Sequence, residues 1–133
     1  MNKYFDWDNA DRISEFHSAF NCEIDQPELI SNPDYIKLRI KLIQEETKEL
    51  TDQLWDDCQS GNISPNLLKE MADVLYVTYG LAVGLGLDVD QAFHRVHISN
   101  MSKLDNDGKP IYREDGKVLK GPNYKAPDLS DLV

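Results

Sequence analysis

The chain has 133 residues, with 14 Lys and Arg against 24 Asp and Glu and a formal net charge of −10. This length predicts a single domain over residues 1–133, and a hydrophobic content of 41% is enough for a core. The acidic balance argues against binding a nucleic acid polymer, because such binding depends on basic side chains that displace counterions from phosphates.

Cysteine usage and hydropathy predict a cytoplasmic protein that does not enter a membrane. Cys22 and Cys58 are too few for a disulfide scaffold. Residues 1–6 contain no apolar core of a secretion signal. The longest weakly charged stretch, 71–87, is shorter than the roughly 20 apolar residues that a membrane span needs.

Two amphipathic helices are predicted in the first sixty residues. The first runs to about residue 20, with Asp8 or Asn9 as its cap. It is expected to bury Ile13, Phe16 and Phe20. The second helix covers about 34–59, after a connector with two prolines, and its apolar residues recur at helical spacing. This apolar seam consists of Ile36, Ile40, Ile43, Leu50 and Leu54.

A third and a fourth helix are predicted after a short turn. The third begins at Pro65, with Ser64 as its N-cap, and is apolar on nearly every side to about Gly84, as is typical of a helix at the centre of a bundle. The fourth covers about 88–103.

Beyond the fourth helix, the turn dipeptides at 107–108 and 115–116 indicate an irregular hairpin, followed by an extended tail. We therefore expect an all-α fold. It would be a bundle of about four helices over about 8–104, with a short hairpin-like C-terminal extension over 105–133.

Acidic side chains are concentrated on the second and third helices. Glu45, Glu46 and Glu49 lie within an arc of about 100° on one helix, and Glu70 and Asp73 share a face of the other. Because helices joined by a short turn pack antiparallel, the two groups can come face to face. Four or five carboxylates in one site repel one another strongly, so the site requires a cation. Oxygen ligands without Cys or His favour Mg²⁺ or Mn²⁺ over Ca²⁺.

Ion pairs are the alternative interpretation of each acidic helix taken alone. On the second helix, Lys41 and Lys48 could neutralise the acids as part of a solvated surface. On the third helix, the candidate partners are Arg39, Lys37 and Arg95. In this interpretation the protein is a non-enzymatic acidic helical interaction module.

The spacing of the acids resembles a known signature. Glu46-x-x-Glu49, followed by twenty residues (50–69) and then Glu70-x-x-Asp73, is similar to the E-x-x-E…E-x-x-D pattern of the all-α nucleoside triphosphate pyrophosphohydrolases. These include the MazG proteins, phosphoribosyl-ATP pyrophosphohydrolase and the dimeric dUTPases. The extra acid Glu45 and the segments 99–103 and 121–124 look MazG-like, and the resemblance covers about residues 34–128.

The resemblance implies a MazG-like fold and a Mg²⁺-dependent hydrolase. Such an enzyme cleaves a nucleoside or deoxynucleoside triphosphate to the monophosphate and pyrophosphate, as a house-cleaning activity on the nucleotide pool. It further implies that Glu46, Glu49, Glu70 and Asp73 hold Mg²⁺, with Mn²⁺ as a substitute, and that Glu45 activates the attacking water. Assembly as a homodimer or homotetramer is also implied. A nucleotide sensor that binds but hydrolyses slowly is a further alternative.

Candidate substrate contacts lie near the end of the chain. Asn100 and Lys103, one turn apart, are candidates for the sugar and the phosphates, although Lys103 could equally be a cation that stabilises a helix C-terminus. Lys120 and Tyr124 could close over the ligand or only hold the tail in place. Trp55 could border a base pocket, or lie in the core or an interface.

Overall fold

A computed structural model describes residues 6–133, in which four α-helices occur and no strand. The helices are α1 (Asn9–Ala19), α2 (Pro33–Ser60), α3 (Pro65–Leu85) and α4 (Val89–Met101). Two short 3-10 helices cover Pro27–Ser31 and Ser130–Leu132. The predicted all-α class is confirmed. Residues 1–5, on which the expectation about a secretion signal mainly depends, lie outside the described residues.

Capping residues in the sequence set the ends of the helices. Asp8 starts α1 with a reciprocal capping box. The Ser64 hydroxyl accepts a main-chain hydrogen bond at the start of α3, where Pro65 takes the first helical position. Both α2 and α3 end at a glycine in the left-handed region, Gly61 with φ 73° and Gly86 with φ 72°. The predicted helix ends are therefore correct to within about two residues.

The described residues fall into two compact units, one ending at Leu87 and the other covering Asp88–Val133. In the first unit, α2 and α3 form a helical hairpin through the connection 61–64, and α1 and the 3-10 helix Pro27–Ser31 pack against α3. The second unit contains α4 and the C-terminal extension. All four carboxylates of the predicted signature thus lie in the first unit.

The connector between α1 and α2 is held against the C-terminal end of α3. Asp25 and Gln26 donate their main-chain N–H groups to the carbonyl oxygens of Val83 and Gly84, at 2.9 and 2.8 Å. The Tyr35 hydroxyl lies so close to Gly84 that a Cβ at this position would overlap it. Only glycine therefore allows the Tyr35 ring to approach α3 in this way.

Fewer apolar side chains of α1 and α2 are buried than the sequence indicates. Ile13 is buried as expected, but Phe16 and Phe20 are 38% and 65% exposed and stack on each other with ring centroids 4.4 Å apart. Within the seam of α2, Ile40 and Leu54 are about half exposed. The predicted burial of Phe16 and Phe20 is wrong, because one short chain has too few elements to cover every apolar face.

One face of helix α3 is left largely uncovered by the described residues of a single chain. Leu67 and Leu85 are buried, whereas Leu68, Met71 and Leu75 are 50–70% exposed. The described residues of one copy therefore give α3 only part of the cover expected for a helix at the centre of a bundle. Among residues 6–133, no single helix is long and apolar enough to cross a membrane. Only the pair α3 and α4, which are separated by a sharp bend, meets the same criteria of length and composition when the two helices are counted together.

The C-terminal extension is mostly irregular. An antiparallel bridge pairs Tyr112 with Val118, and glycines with positive φ, Gly108 and Gly116, occupy the two turns. This geometry agrees with the irregular hairpin expected from the turn dipeptides.

Candidate active site

Four carboxylates of α2 and α3 meet in one cluster. Glu46, Glu49, Glu70 and Asp73 each place one oxygen within 4.8 Å of the oxygens of the other three. Glu46 and Glu49 are one turn apart on α2, and Glu70 and Asp73 are one turn apart on α3. The connection 61–64 brings α3 back along α2. Oxygens bound to one Mg²⁺ are at most about 4.2 Å apart, since each lies about 2.1 Å from the ion. The cluster is therefore close to the spacing that a divalent cation requires.

Two oxygens of the cluster are buried without a hydrogen-bond donor. Glu70 is 6% exposed, Glu46 and Asp73 are half-buried, and Glu49 is exposed. Among the described residues, none donates a hydrogen bond to Glu46 Oε2 or to Glu70 Oε2. A buried carboxylate oxygen without a donor raises the free energy of the folded chain. The residues present therefore fit a bound cation, which would stabilise these two atoms.

The four charges repel one another. The pKa of Glu49 is raised, chiefly by the negative charge of Glu46, with further contributions from desolvation and from the Glu70 carboxylate. A neighbouring anion disfavours ionisation, whereas a nearby cation would favour it. The raised pKa of Glu49 therefore reflects the crowding of negative charge in the cluster.

Lys69 partly neutralises the α3 side of the cluster. Its Nζ lies 2.8 Å from Asp73 Oδ2 and 3.5 Å from Glu70 Oε1. The hydrogen bond that the Lys69 ammonium donates to Asp73 is the main cause of the raised pKa of Lys69. The Lys69 side chain is 61% exposed, so water screens its interaction with Asp73. It offers one positive charge to four carboxylates.

Sequence reasoning missed Lys69 as a partner of the α3 acids. Its position four residues before Asp73 was the available signal, because side chains at that spacing are neighbours on a helix. Of the partners expected instead, Arg39 is buried, has Glu23 at 3.9 Å and lies over the Tyr35 ring. Arg95 binds Asp131 within the second unit.

Glu45 lies next to Glu46 in the chain but is not a member of the cluster. Its side chain is 52% exposed, and its Oε1 is 3.9 Å from the Nζ of Lys41. This contact is the weak surface pair that the sequence allows on α2. The assignment of Glu45 to water activation stays a prediction.

The candidate substrate contacts belong to the second unit. Asn100 is exposed in the last turn of α4, and Lys103 follows the helix end, where its carbonyl oxygen accepts the N–H of Gly121 at 2.9 Å. The Lys120 ammonium lies 4.7 Å from the centre of the Tyr124 ring. The extension is thus attached to the end of α4 beside Lys103. That Asn100, Lys103, Lys120 and Tyr124 contact a substrate stays a prediction.

An all-α fold whose carboxylates converge from two neighbouring helices is typical of the nucleotide pyrophosphohydrolase class. The sequence matches the phosphoribosyl-ATP pyrophosphohydrolase family over residues 13–100, about two thirds of the chain. The chain belongs to this family, which confirms the predicted superfamily. The match starts within α1, upstream of residue 34, where the resemblance in the sequence begins.

A viral protein is also similar to this chain. An uncharacterized protein of Acanthamoeba polyphaga mimivirus is 28% identical over 130 residues, which cover 94% of this chain. The chain spans about half (47%) of the length of that relative.

Proposed function

We propose that the protein is a Mg²⁺-dependent nucleoside triphosphate pyrophosphohydrolase, which releases a nucleoside monophosphate and pyrophosphate. The observation that carries this proposal is the four-carboxylate cluster, with two buried oxygens that lack donors, in a member of a pyrophosphohydrolase family. Carboxylate oxygens suit Mg²⁺, for which Mn²⁺ is a chemical substitute.

The cluster and its neighbour have separate roles in this proposal. Glu46, Glu49, Glu70 and Asp73 hold the cation. When bound, the cation neutralises the phosphates, makes the attacking water more acidic and stabilises the leaving pyrophosphate. Glu45 accepts the proton of that water in this proposal; its carboxylate is exposed and has only a weak ion pair, so its oxygens are accessible to water.

The candidate substrate contacts predicted from the sequence keep their roles in this proposal. Asn100 and Lys103 bind the sugar and phosphates, and Lys120 and Tyr124 cover the ligand from the tail. The contact between Lys120 and Tyr124 supports this role, because it orders a cation and an aromatic ring together on an exposed segment.

Self-association is a further part of the proposal. Large apolar side chains are about half exposed or more on α2 and α3, and a second copy of the chain would cover them as a homodimer or homotetramer. They are Leu38, Ile40, Leu54, Trp55, Leu68, Met71 and Leu75. Trp55 therefore has an interface role in this proposal rather than a place in the core of one chain.

A house-cleaning role in the cytoplasm completes the proposal. Nucleoside triphosphates and Mg²⁺ are available in that compartment. Cys22 and Cys58 are free thiols, which suits a reducing environment.

A panel of standard and modified nucleotides tests the reaction. The protein is incubated with each nucleotide and Mg²⁺, and the released pyrophosphate and orthophosphate are quantified separately. We expect pyrophosphate and monophosphate in equal amounts, with no turnover in excess chelator. Orthophosphate as the sole product, or an undiminished rate in chelator, would contradict the proposed reaction.

The pairing of Lys69 with two α3 acids favours the second candidate, a non-enzymatic acidic helical module. The two candidates differ in their response to ligands. An enzyme that binds Mg²⁺ and a nucleotide gains thermal stability by mass action, whereas a module held by ion pairs does not. A nucleotide sensor would combine that gain with very slow turnover.

A further inference from the structure

A chain of hydrogen-bonded side chains begins at the connection between α2 and α3. The buried carboxylate of Asp57 accepts the main-chain N–H of Ser64 at 2.7 Å and the Ser64 hydroxyl at 3.0 Å, both through Oδ2. Its other oxygen, Oδ1, accepts the Gln53 amide nitrogen at 2.8 Å. Asp57 therefore uses both oxygens to hold the helix connection and one side chain of α2.

The chain continues from Gln53 to the carboxylate cluster. The Gln53 oxygen accepts the side-chain amide nitrogen of Asn66 at 2.7 Å. The same nitrogen of Asn66 donates to Glu70 Oε1 at 3.3 Å. One polar path thus joins Asp57 in the last turn of α2 to a carboxylate of the cluster.

The charge of Asp57 sets the direction of this path. The N–H of Ser64, together with side-chain hydrogen bonds, lowers the pKa of Asp57, so its carboxylate is ionised and accepts hydrogen bonds only. The Gln53 amide must then turn its nitrogen toward Asp57 and its oxygen toward Asn66. Asn66 in turn must present its NH₂ group, which leaves a donor directed at Glu70.

The two oxygens of Glu70 are therefore in different environments. Oε1 has the Asn66 amide at 3.3 Å and the Lys69 ammonium at 3.5 Å. Oε2 is buried, and no described residue donates to it. The protein engages one oxygen and leaves the other available to a cation.

We propose that Asn66 is a positioning residue for the cation site: oriented by Asp57 through Gln53, it holds Glu70 by Oε1 so that Oε2 is presented to the cation. This role rests on the proposed function, because it requires that the cluster binds a divalent cation. Hydrogen bonds that orient a ligating side chain commonly change metal affinity about 10- to 100-fold.

Mn²⁺ binding without nucleotide tests this role. The dissociation constant is measured by titration calorimetry for the full chain and for Asn66→Ala, which removes the donor at an exposed position. We expect Asn66→Ala to raise the dissociation constant about tenfold. Asn66→Gln keeps an NH₂ group and is expected to recover most of the affinity.

The matched control is Asn62→Ala, in an exposed asparagine of the connection whose side-chain amide donates, among the described residues, to the carbonyl of Ser60 and not to the cluster. We expect its Mn²⁺ affinity to stay within about twofold of the unsubstituted protein. Melting temperatures in chelator, compared between the two alanine variants, separate a loss of affinity from a loss of folding. If Asn66→Ala does not fold, Gln53→Met replaces it, with an expected loss of about threefold, smaller because Asn66 keeps its donor.

The outcomes distinguish the two proposals. Undiminished Mn²⁺ affinity in Asn66→Ala, or in Gln53→Met where that variant replaces it, would overturn the positioning role and leave the proposed function intact. An equal loss of affinity in Asn66→Gln would also overturn it, since the donor would then not be the cause. Failure of the unsubstituted protein to bind Mn²⁺ would overturn the cation site itself, and with it both proposals.

Discussion

Glu70 is the most buried carboxylate of the cluster, and one of its oxygens lacks a donor. Glu70→Gln removes its charge at nearly constant volume and leaves an oxygen for Asn66. We expect Mg²⁺-dependent turnover to fall by on the order of 100-fold or more, because a ligand to the cation is lost. In chelator the melting temperature should be unchanged or higher, since one repelling charge is gone.

The control for this prediction is Glu28→Gln, in an exposed glutamate of the 3-10 helix Pro27–Ser31. Its turnover should equal that of the unsubstituted protein. Full activity in Glu70→Gln would show that the cluster is not the site of the reaction.

Glu45→Gln separates proton transfer from cation binding. We expect kcat to fall by about 10²-fold or more, because a general base is lost, while the Mn²⁺ dissociation constant stays the same. Pyrophosphate release and calorimetry on the same sample provide both values. A large loss of Mn²⁺ affinity would instead place Glu45 among the ligands.

The convergence of the four acids was within reach of sequence analysis, but the residues around them were not. Helical periodicity and a short connection are sufficient to direct Glu46 and Glu70 toward each other. The contacts of Lys69, Gln53 and Asn66 depend on side-chain rotamers and on the register between α2 and α3. Periodicity does not determine either property.

The helical hairpin is held at its turn by Asp57, which receives hydrogen bonds from Ser64 and Gln53. Its lowered pKa means that the folded state binds this proton less tightly than the unfolded state does. Asp57 therefore stabilises the fold above the ordinary aspartate pKa, and this contribution is lost as the pH falls through the lowered pKa.

Asp57→Asn should consequently lower the melting temperature at neutral pH by several degrees, because an ionised acceptor of three hydrogen bonds is lost. The difference between the variant and the unsubstituted protein should shrink as the pH is lowered below about 4. Thermal unfolding over a pH series measures it. A difference that is constant across the series would mean that the charge of Asp57 has no role.

At the scale of elements, local signals were sufficient to place the helices. Ser64, Pro65, Gly61 and Gly86 act through contacts with their immediate neighbours, which a sequence displays directly. The attachment of the α1–α2 connector to the end of α3 could not be predicted, because it joins residues about sixty positions apart through main-chain groups that have no residue-specific signal.

For the whole molecule, the exposed apolar residues of α2 and α3 lead to a prediction about assembly. Trp55 and Leu68 are 63% and 70% exposed, so Trp55→Glu and Leu68→Glu remove little buried surface within one chain. In a dimer formed through these helices, either substitution should weaken association at least about tenfold, or ~1.4 kcal/mol. Light scattering over a concentration series measures the effect.

Gln59→Glu adds the same charge at an exposed polar position near the end of α2 and serves as the control. If the unsubstituted protein is monomeric at micromolar concentration, the proposed assembly is contradicted.

The sequence predicted the apolar faces but not their partner, because a hydrophobic pattern identifies an apolar surface without identifying the chain that covers it. The expected burial of Phe16 and Phe20 was wrong because periodicity marks a residue as apolar without showing whether another element covers it.

Lys69 gives the acidic cluster a counter-charge that dialysis does not remove, since it is covalently part of α3. A sample stripped with EDTA should therefore keep its helical circular dichroism and its cooperative melting, and regain turnover when Mg²⁺ is restored. Inhibition by chelators would then report the occupancy of the site rather than denaturation, and preparations could be stored metal-free and reconstituted with a chosen ion before assay.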